Sequence, residues 1–596
     1  MTVQERLAAL RSLMKEKHVD AYLVPTDDFH GSEYVGDYFK CRKYITGFTG
    51  SAGTAVITSD MAGLWTDGRY FIQAAQQLEG TTVTLFKMGE PEVPTIHEFL
   101  KDKLTEGMCL GFDGRCVSAA ETEELKSLLA DKNIRFSVEE DLIGEIWKNR
   151  PELSCEPVME LEEKWAGKSR ADKCAQIREK MAEKGADAFI LTSLDDIAWL
   201  LNIRGNDIHC CPVVLSYLVM TQDEILLFAN EKAFDTAVRN SLEKDGVVLK
   251  PYNDIYQYVK TIPESRTVLL SRKNANSRLV SSLPDSVKIL DEENLTLLPK
   301  AIKNPVEVEN ERIAHIKDGV AVTKFIYWLK KNVGKTTITE LSAADHLFAL
   351  RKEQENFLDN SFDPIVSYAG HAAICHYSPS SETDIPLEPH GLALCDTGGH
   401  YLEGSTDITR TVVLGPVTEK EKKYFTLVLK GHLNLAAAKF RYGCTDLNLD
   451  YIAREPLWQL GEDYNHGTGH GVGYLLNVHE GPNRFRWKTA PGQSACVLEE
   501  GMITSNEPGL YLEGKYGIRL ENLELCVERE ITDYGTFLGF DPLTMCPFER
   551  DAIIPEELSS KQRALLNAYH KRVYELVSPY FTDEENAWLR EATAEI

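Results

Sequence analysis

Residues 177–188 read I-R-E-K-M-A-E-K-G-A-D-A and run straight into Phe189-Ile190-Leu191; residues 10–21 read L-R-S-L-M-K-E-K-H-V-D-A and run into Tyr22-Leu23-Val24. The two stretches lie 167 residues apart. Each begins with apolar residues at helical spacing: Leu10, Leu13 and Met14 in one, Ile177 and Met181 in the other. Each then becomes continuously apolar for a few residues. The first pattern is a helix buried along one stripe, and the second is a short buried strand. A helix feeding a buried strand is an α/β unit, and finding it twice predicts two related N-terminal α/β domains.

Working outward, the first domain is expected over 1–160, ending past the polar, proline-containing Asn149-Arg150-Pro151-Glu152. The second is expected over 161–302. The third, 303–596, opens on Lys303-Asn304-Pro305, with a proline suited to a first helical turn. Ile313, Ile316 and Val320 continue it as an apolar stripe.

The 596 residues carry 92 Asp and Glu against 65 Lys and Arg, a formal charge of −27. Nucleic-acid binding needs basic patches that displace counterions, so no such partner is expected. Apolar residues at 43% and charged residues at 26% exclude a mostly disordered or fibrous chain. The start, M-T-V-Q-E-R-L-A-A-L-R, has charges where a signal peptide has an apolar run. No apolar stretch reaches the ~18 residues of a spanning helix, so no membrane partner is expected. Thirteen scattered cysteines without a C-x-x-C pair are expected as reduced thiols in a cytoplasmic protein.

The third domain carries the chemistry. No G-x-x-x-x-G-K-[ST] loop or G-x-S-x-G elbow occurs, and His479-Glu480 has Asn483 where a zincin helix needs its second histidine. Leu392-Ala393-Leu394-Cys395-Asp396 and Asp407-Ile408-Thr409-Arg410-Thr411-Val412-Val413 read as two strands of a hairpin that sets Asp396 beside Asp407. Two carboxylates aimed at one point repel unless a proton or a cation lies between them. In His466-Gly467-Thr468-Gly469-His470-Gly471-Val472-Gly473, alternating glycines cost backbone entropy, which points to a close backbone approach beside two histidines. Glu507 follows the β-prone Met502–Asn506, and Glu521 shares a strand face with Leu523 and Leu525, a costly place for an unpaired carboxylate. Taken singly these allow plainer readings: turn aspartates, an exposed glycine loop, a salt bridge from Glu521 to an arginine. Taken together, four carboxylates and one imidazole balance two divalent cations and suit Mn²⁺ or Co²⁺ better than Ca²⁺. The residues therefore point to a dinuclear metal hydrolase.

This set resembles the pita-bread metallopeptidases: methionine aminopeptidase, prolidase, aminopeptidase P and creatinase. The family's five metal ligands match Asp396, Asp407, His470, Glu507 and Glu521 in order and local context. Two large N-terminal domains resemble the cytosolic, eukaryotic-type aminopeptidases P within that family. So do Asp28–Tyr34, Gly47–Gly53, Trp65–Phe71, Asp195–Asn202 and Phe537–Thr544. The resemblance implies creatinase-like N-terminal domains, a pita-bread catalytic domain, and two divalent metals per subunit, with Mn²⁺ ahead of Co²⁺ or Zn²⁺. It implies cleavage of the bond before a penultimate proline by a hydroxide bridging the metals, and a homodimer. By the same resemblance Glu507 is both ligand and proton shuttle, His466 a supporting proton-shuttle position, and His376 and His479 contact substrate. Arg69 reaches toward the substrate's far end. A prolidase that cleaves only dipeptides, and an inactive pita-bread binding protein, are the competing readings.

Overall fold

The computed structural model describes residues 1–489 and 494–596. It divides into two compact units, Met1–Leu161 with Lys168–Thr296, and Glu162–Gly167 with Leu297–Ile596.

The first unit contains two six-stranded sheets with one topology. In the first sheet the order is Thr84–Lys87, Ala62–Thr66, Thr54–Thr58, Ala21–Pro25, Cys109–Gly111, Arg135–Ser137. In the second it is Val247–Pro251, Ile225–Ala229, Ser216–Thr221, Ala188–Leu191, Thr267–Leu270, Lys288–Asp291. Parallel and antiparallel pairings follow the same sequence across both sheets. The repeated segments supply the equivalent inner strand of each, after the helices Val3–Glu16 and Arg170–Lys184. Thr2 and Glu5 form a capping box on the first helix, and Ser169 caps the second. Leu7, Leu10 and Met14, and in the second Ile177 and Met181, are buried. Gly185 ends the second helix at φ 68°, in the left-handed region that glycine enters cheaply. None of the thirteen cysteines forms a disulfide.

The second unit carries the long helix Pro305–Asn332, its first turn capped by Asn304 and Glu307. The stripe expected on it is only partly buried, for Ile313 is 38% exposed while Val320 is buried. The helix instead buries Glu307, Asn310, Glu311, His315 and Asp318. These polar groups find partners: Asp318 pairs with Arg351 at 2.8 Å and accepts from Tyr401, and Glu311 accepts from the Ser405 amide. Behind the helix lies the three-stranded sheet Ile365–Tyr368, Leu392–Thr397, Ile408–Val413. A six-stranded sheet runs Lys439–Arg441, Gly535–Pro542, Asn522–Thr532, Ile503–Asn506, Gly469–Gly471, Glu480–Phe485. The helices Glu419–Ala436 and Asp446–Trp458 pack together, and Ser560–Val577 packs on the first of them. Among the described residues no helix is long and apolar enough to cross a membrane.

Glu524, on the central strand Asn522–Thr532, is wholly buried, and burial pushes its carboxyl from about 4.5 up to about 8. Between those values the folded chain keeps a proton that the unfolded chain has lost, so stability falls as pH rises. The slope is about 1.4 kcal/mol per pH unit. Glu524→Gln is expected to lessen the fall in thermal midpoint between pH 6 and pH 8; an undiminished fall would refute a buried titrating carboxyl here.

Candidate metal centre

Strands Leu392–Thr397 and Ile408–Val413 pair antiparallel with Asp396 opposite Thr409 and Thr397 opposite Ile408. Asp407 stands one residue before the second strand, so the pairing brings both aspartates to the same end of the sheet. A small hairpin of Gly399–Tyr401 with Gly404–Ser405 fills the connection. Both aspartates are buried.

The glycine run meets the close approach its composition demands. A Cβ on Gly469 would lie 1.8 Å from the Ser505 carbonyl, and one on Gly471 2.3 Å from that of Glu480. With no side chain at either position, the short strand Gly469–Gly471 fits between its neighbours, and His470 between the two glycines faces the carboxylates. Its Nε2 is 3.5 Å from Asp407 Oδ2 and 3.6 Å from Glu507 Oε1. Its Nδ1 lies 3.0 Å from the Gly471 carbonyl. A proton on Nδ1 satisfies that carbonyl and leaves the Nε2 lone pair for the site.

Glu507 follows the strand Ile503–Asn506 and accepts from Ser505 Oγ at 3.3 Å. Glu521 lies where the chain leaves one sheet for another. The run 516–527, continuous in its sequence pattern, breaks into Tyr516–Arg519, paired with Gly509–Leu512, and Asn522–Thr532 in the six-stranded sheet. The break turns the Glu521 carboxylate toward Asp407 and His470, and one ligand atom from each of the three lies within 4.8 Å of the others. Thr409 Oγ1 donates to Glu521 Oε2 at 2.7 Å. The arginine of this strand pairs elsewhere: Arg519 Nη2 lies 2.5 Å from Asp396 Oδ2.

The electrostatics are those of a site that lacks positive charge. Burial pushes the Glu521 carboxyl well up, and Asp407, Glu507 and Asp396 add to it. Burial likewise raises Asp396 against the pull of Arg519, and raises Glu507 against that of His470. Burial works against the His470 imidazolium, yet Asp407 and Glu507 outweigh it and raise it to about 9. Asp396 Oδ1 and Glu521 Oε1 are buried without any hydrogen-bond partner. Unsatisfied hard oxygens beside an imidazole nitrogen are the donor set of a divalent cation such as Mn²⁺, so the residues present fit metal.

The remaining sequence candidates take several positions. The rings of His479 and His470 meet edge to face at 4.2 Å. His466 Nε2 lies 2.9 Å from Tyr511 Oη, which accepts from Arg519 Nη1 at 2.7 Å. His376 follows the short helix Ala369–Ala373; the sulfur of its neighbour Cys375 lies 3.7 Å from Arg519 Nη1, which sets that segment beside the site. Arg69 belongs to the first unit, where Asp67 holds its guanidinium through two bonds of 2.9 Å and Glu33 lies 4.0 Å away. Sequence reasoning missed Arg519 and Tyr511, although Arg519, two residues before Glu521 on the same strand face, was a signal for a buried cation.

The models of the creatinase/prolidase N-terminal domain match residues 6–141 and 149–307. That of metallopeptidase family M24 matches 309–528, and that of its C-terminal region 536–596. A probable Xaa-Pro aminopeptidase P of Laccaria bicolor is 40% identical over 603 residues, covering 98% of this chain and 92% of its own. The chain belongs to metallopeptidase family M24. This M24 chain is also 36% identical to aminopeptidase P1 of Arabidopsis thaliana, with 99% of each covered. A solved structure of the X-prolyl aminopeptidase from Caenorhabditis elegans, described as a cytosolic enzyme with a di-nuclear active site, superposes with a TM-score of 0.95. It covers 100% of both chains at 35% identity. The M24 chain accordingly has two creatinase-type N-terminal domains followed by a pita-bread catalytic domain.

Proposed function

We propose that the chain is a metal-dependent aminopeptidase that releases the N-terminal residue from peptides with proline second. The observation that carries this is the cluster of the buried Asp407 and Glu521 with the half-buried His470, with unsatisfied carboxylate oxygens, in a chain alike over its whole length to Xaa-Pro aminopeptidases. Asp396, Asp407, His470, Glu507 and Glu521 would hold two divalent ions, Mn²⁺ foremost. When bound these supply Lewis acidity and an activated water. Around them the chain positions its own groups. Glu507, its carboxyl raised by burial, accepts the water's proton and delivers it toward the proline nitrogen. His479 donates to the scissile carbonyl oxygen as charge builds on it. His466, braced by Tyr511 and Arg519, supports the proton transfer. His376 contacts the substrate, and Arg69 its far end. An X-Pro bond has no N–H, so a site shaped for the ring accepts what ordinary peptidases reject.

The domains on this reading are 1–160, 161–302 and 303–596, and the enzyme is a cytoplasmic homodimer. The exposed aromatic cluster of Tyr451, Trp458 and Trp487 supports self-association, which sedimentation velocity would test as a doubled mass.

The test of function is release of arginine from Arg-Pro-Pro by chelator-stripped protein, with and without added Mn²⁺. Metal-dependent release is expected. Hydrolysis of Ala-Pro with no action on Arg-Pro-Pro would instead establish a dipeptidase. Inactivity on both with Mn²⁺, Co²⁺ and Zn²⁺ would overturn the reading.

A further inference from the structure

We infer that the C-terminal extension, 536–596, is part of the apparatus that holds the metal site, and that Tyr569 is its positioning residue. The inference rests on the metal reading above.

Glu521 sits at a break between two strands, so its backbone has no continuous ladder to fix it. Its amide donates to the Thr409 carbonyl at 3.1 Å. Its own carbonyl accepts from Arg410 Nη1 at 2.5 Å, and the same nitrogen reaches the Thr409 carbonyl at 3.0 Å. Arg410 therefore clamps two chain segments of the site from behind: the strand after Asp407 and the residue Glu521 itself. Arg410 is 1% exposed.

The orientation of that guanidinium is set from its other edges. Nε donates to the Pro547 carbonyl at 3.0 Å. Nη2 lies 2.7 Å from the Cys546 carbonyl, 2.8 Å from Asn522 Oδ1 and 3.0 Å from Tyr569 Oη. Its face covers the Phe548 ring at 4.1 Å. All of these partners except Asn522 belong to the extension. Tyr569 organises the rest of them. Its oxygen lies 2.8 Å from the Cys546 carbonyl and 2.9 Å from that of Thr544, which share its hydrogen, while it accepts from Arg410. His570 follows and accepts from the Phe548 amide at 3.1 Å. The helix Ser560–Val577 that carries Tyr569 is itself locked into the catalytic core, where Leu566, Val573 and Val577 share one cluster with Ile518 and Leu520. A planar cation with several fixed acceptors can hold a carbonyl to a few tenths of an ångström, and ligand geometry of that accuracy sets metal affinity.

The test uses the full chain and Mn²⁺ as the probe. It compares the unsubstituted protein, Tyr569→Phe and Val573→Ala. Tyr569→Phe keeps the ring and removes the oxygen; Val573→Ala loosens the same helix without touching Arg410. Each is stripped of metal, then titrated with Mn²⁺ against a chelator, and its thermal midpoint is read with and without the ion. Tyr569→Phe is expected to weaken Mn²⁺ about 10-fold, the low end for groups that orient metal ligands. Its Mn²⁺-dependent shift in midpoint should shrink accordingly. Val573→Ala is expected to lower the metal-free midpoint and leave Mn²⁺ affinity within about twofold. Equal Mn²⁺ affinity in Tyr569→Phe and the unsubstituted chain would overturn the inference. So would an equal loss in Val573→Ala, which would show that loosening the helix suffices. An unsubstituted chain that takes up no Mn²⁺ would remove the metal reading itself, and this inference with it.

Discussion

Glu507→Gln is expected to lower kcat on Arg-Pro-Pro at least ~10³-fold, within the range lost when a positioned proton-transfer group is removed. KM should change little, and the fold should survive. Glutamine keeps the shape of the side chain and an oxygen to face the Ser505 hydroxyl, 3.3 Å away. It cannot carry a proton between water and the leaving nitrogen. Burial raises the carboxyl of Glu507 and the His470 charge opposes it, a perturbed carboxyl of the kind found where proton transfer occurs. Glu507 is also proposed as a ligand, so the assay is run at saturating Mn²⁺ with metal content measured on the same sample. Metal-replete Glu507→Gln within tenfold of normal turnover would sink the assignment.

Glu521→Gln should give opposite effects on stability with and without metal. Without metal the variant is expected to melt above the unsubstituted chain, by a few degrees at most. Burial first, then Asp407, Glu507 and Asp396, raise the Glu521 carboxyl. At neutral pH the folded chain must therefore keep a proton that the unfolded chain has lost, or bury a charge among carboxylates; glutamine avoids both. In a unit of about 300 residues, relief of about 1–2 kcal/mol corresponds to roughly 1.5–3 °C. With metal the order should reverse. An ion at 100 times its Kd adds about 2.7 kcal/mol to a folded state that binds it. The variant, short of one anionic ligand, should lose most of that gain together with nearly all activity. Calorimetry of both proteins with and without Mn²⁺ would show the crossing. A variant stabilised by Mn²⁺ as much as the unsubstituted chain would remove Glu521 from the ligand set.

Several levels of this protein were legible in its sequence because their causes are local. The duplicated helix-and-strand segments at 10–24 and 177–191 recur as equivalent strands of two sheets with one topology. Asn304-Pro305 starts a helix because a cap and a proline act within one turn. The alternating glycines around His470 declared a close approach, and Ser505 and Glu480 supply it. The hairpin joining Asp396 and Asp407 followed from two β-prone runs eleven residues apart.

What the tertiary structure alone decided has non-local causes. Periodicity reports whether a face is buried, and cannot say which distant group meets it. Taken singly, Glu521 allowed a salt bridge to an arginine; the arginine of its strand, Arg519, pairs with Asp396 instead, 123 residues away. The polar face of the helix Pro305–Asn332 is buried because Arg351, Tyr401 and Ser405 close around it. The strand through Glu521 breaks because its two halves belong to different sheets, which no alternation along the run announces. Arg410 and Tyr569 stand 159 residues apart and meet behind the site. A sequence names the charges that must be buried, while the neutralising partner of each depends on which surfaces the completed fold closes.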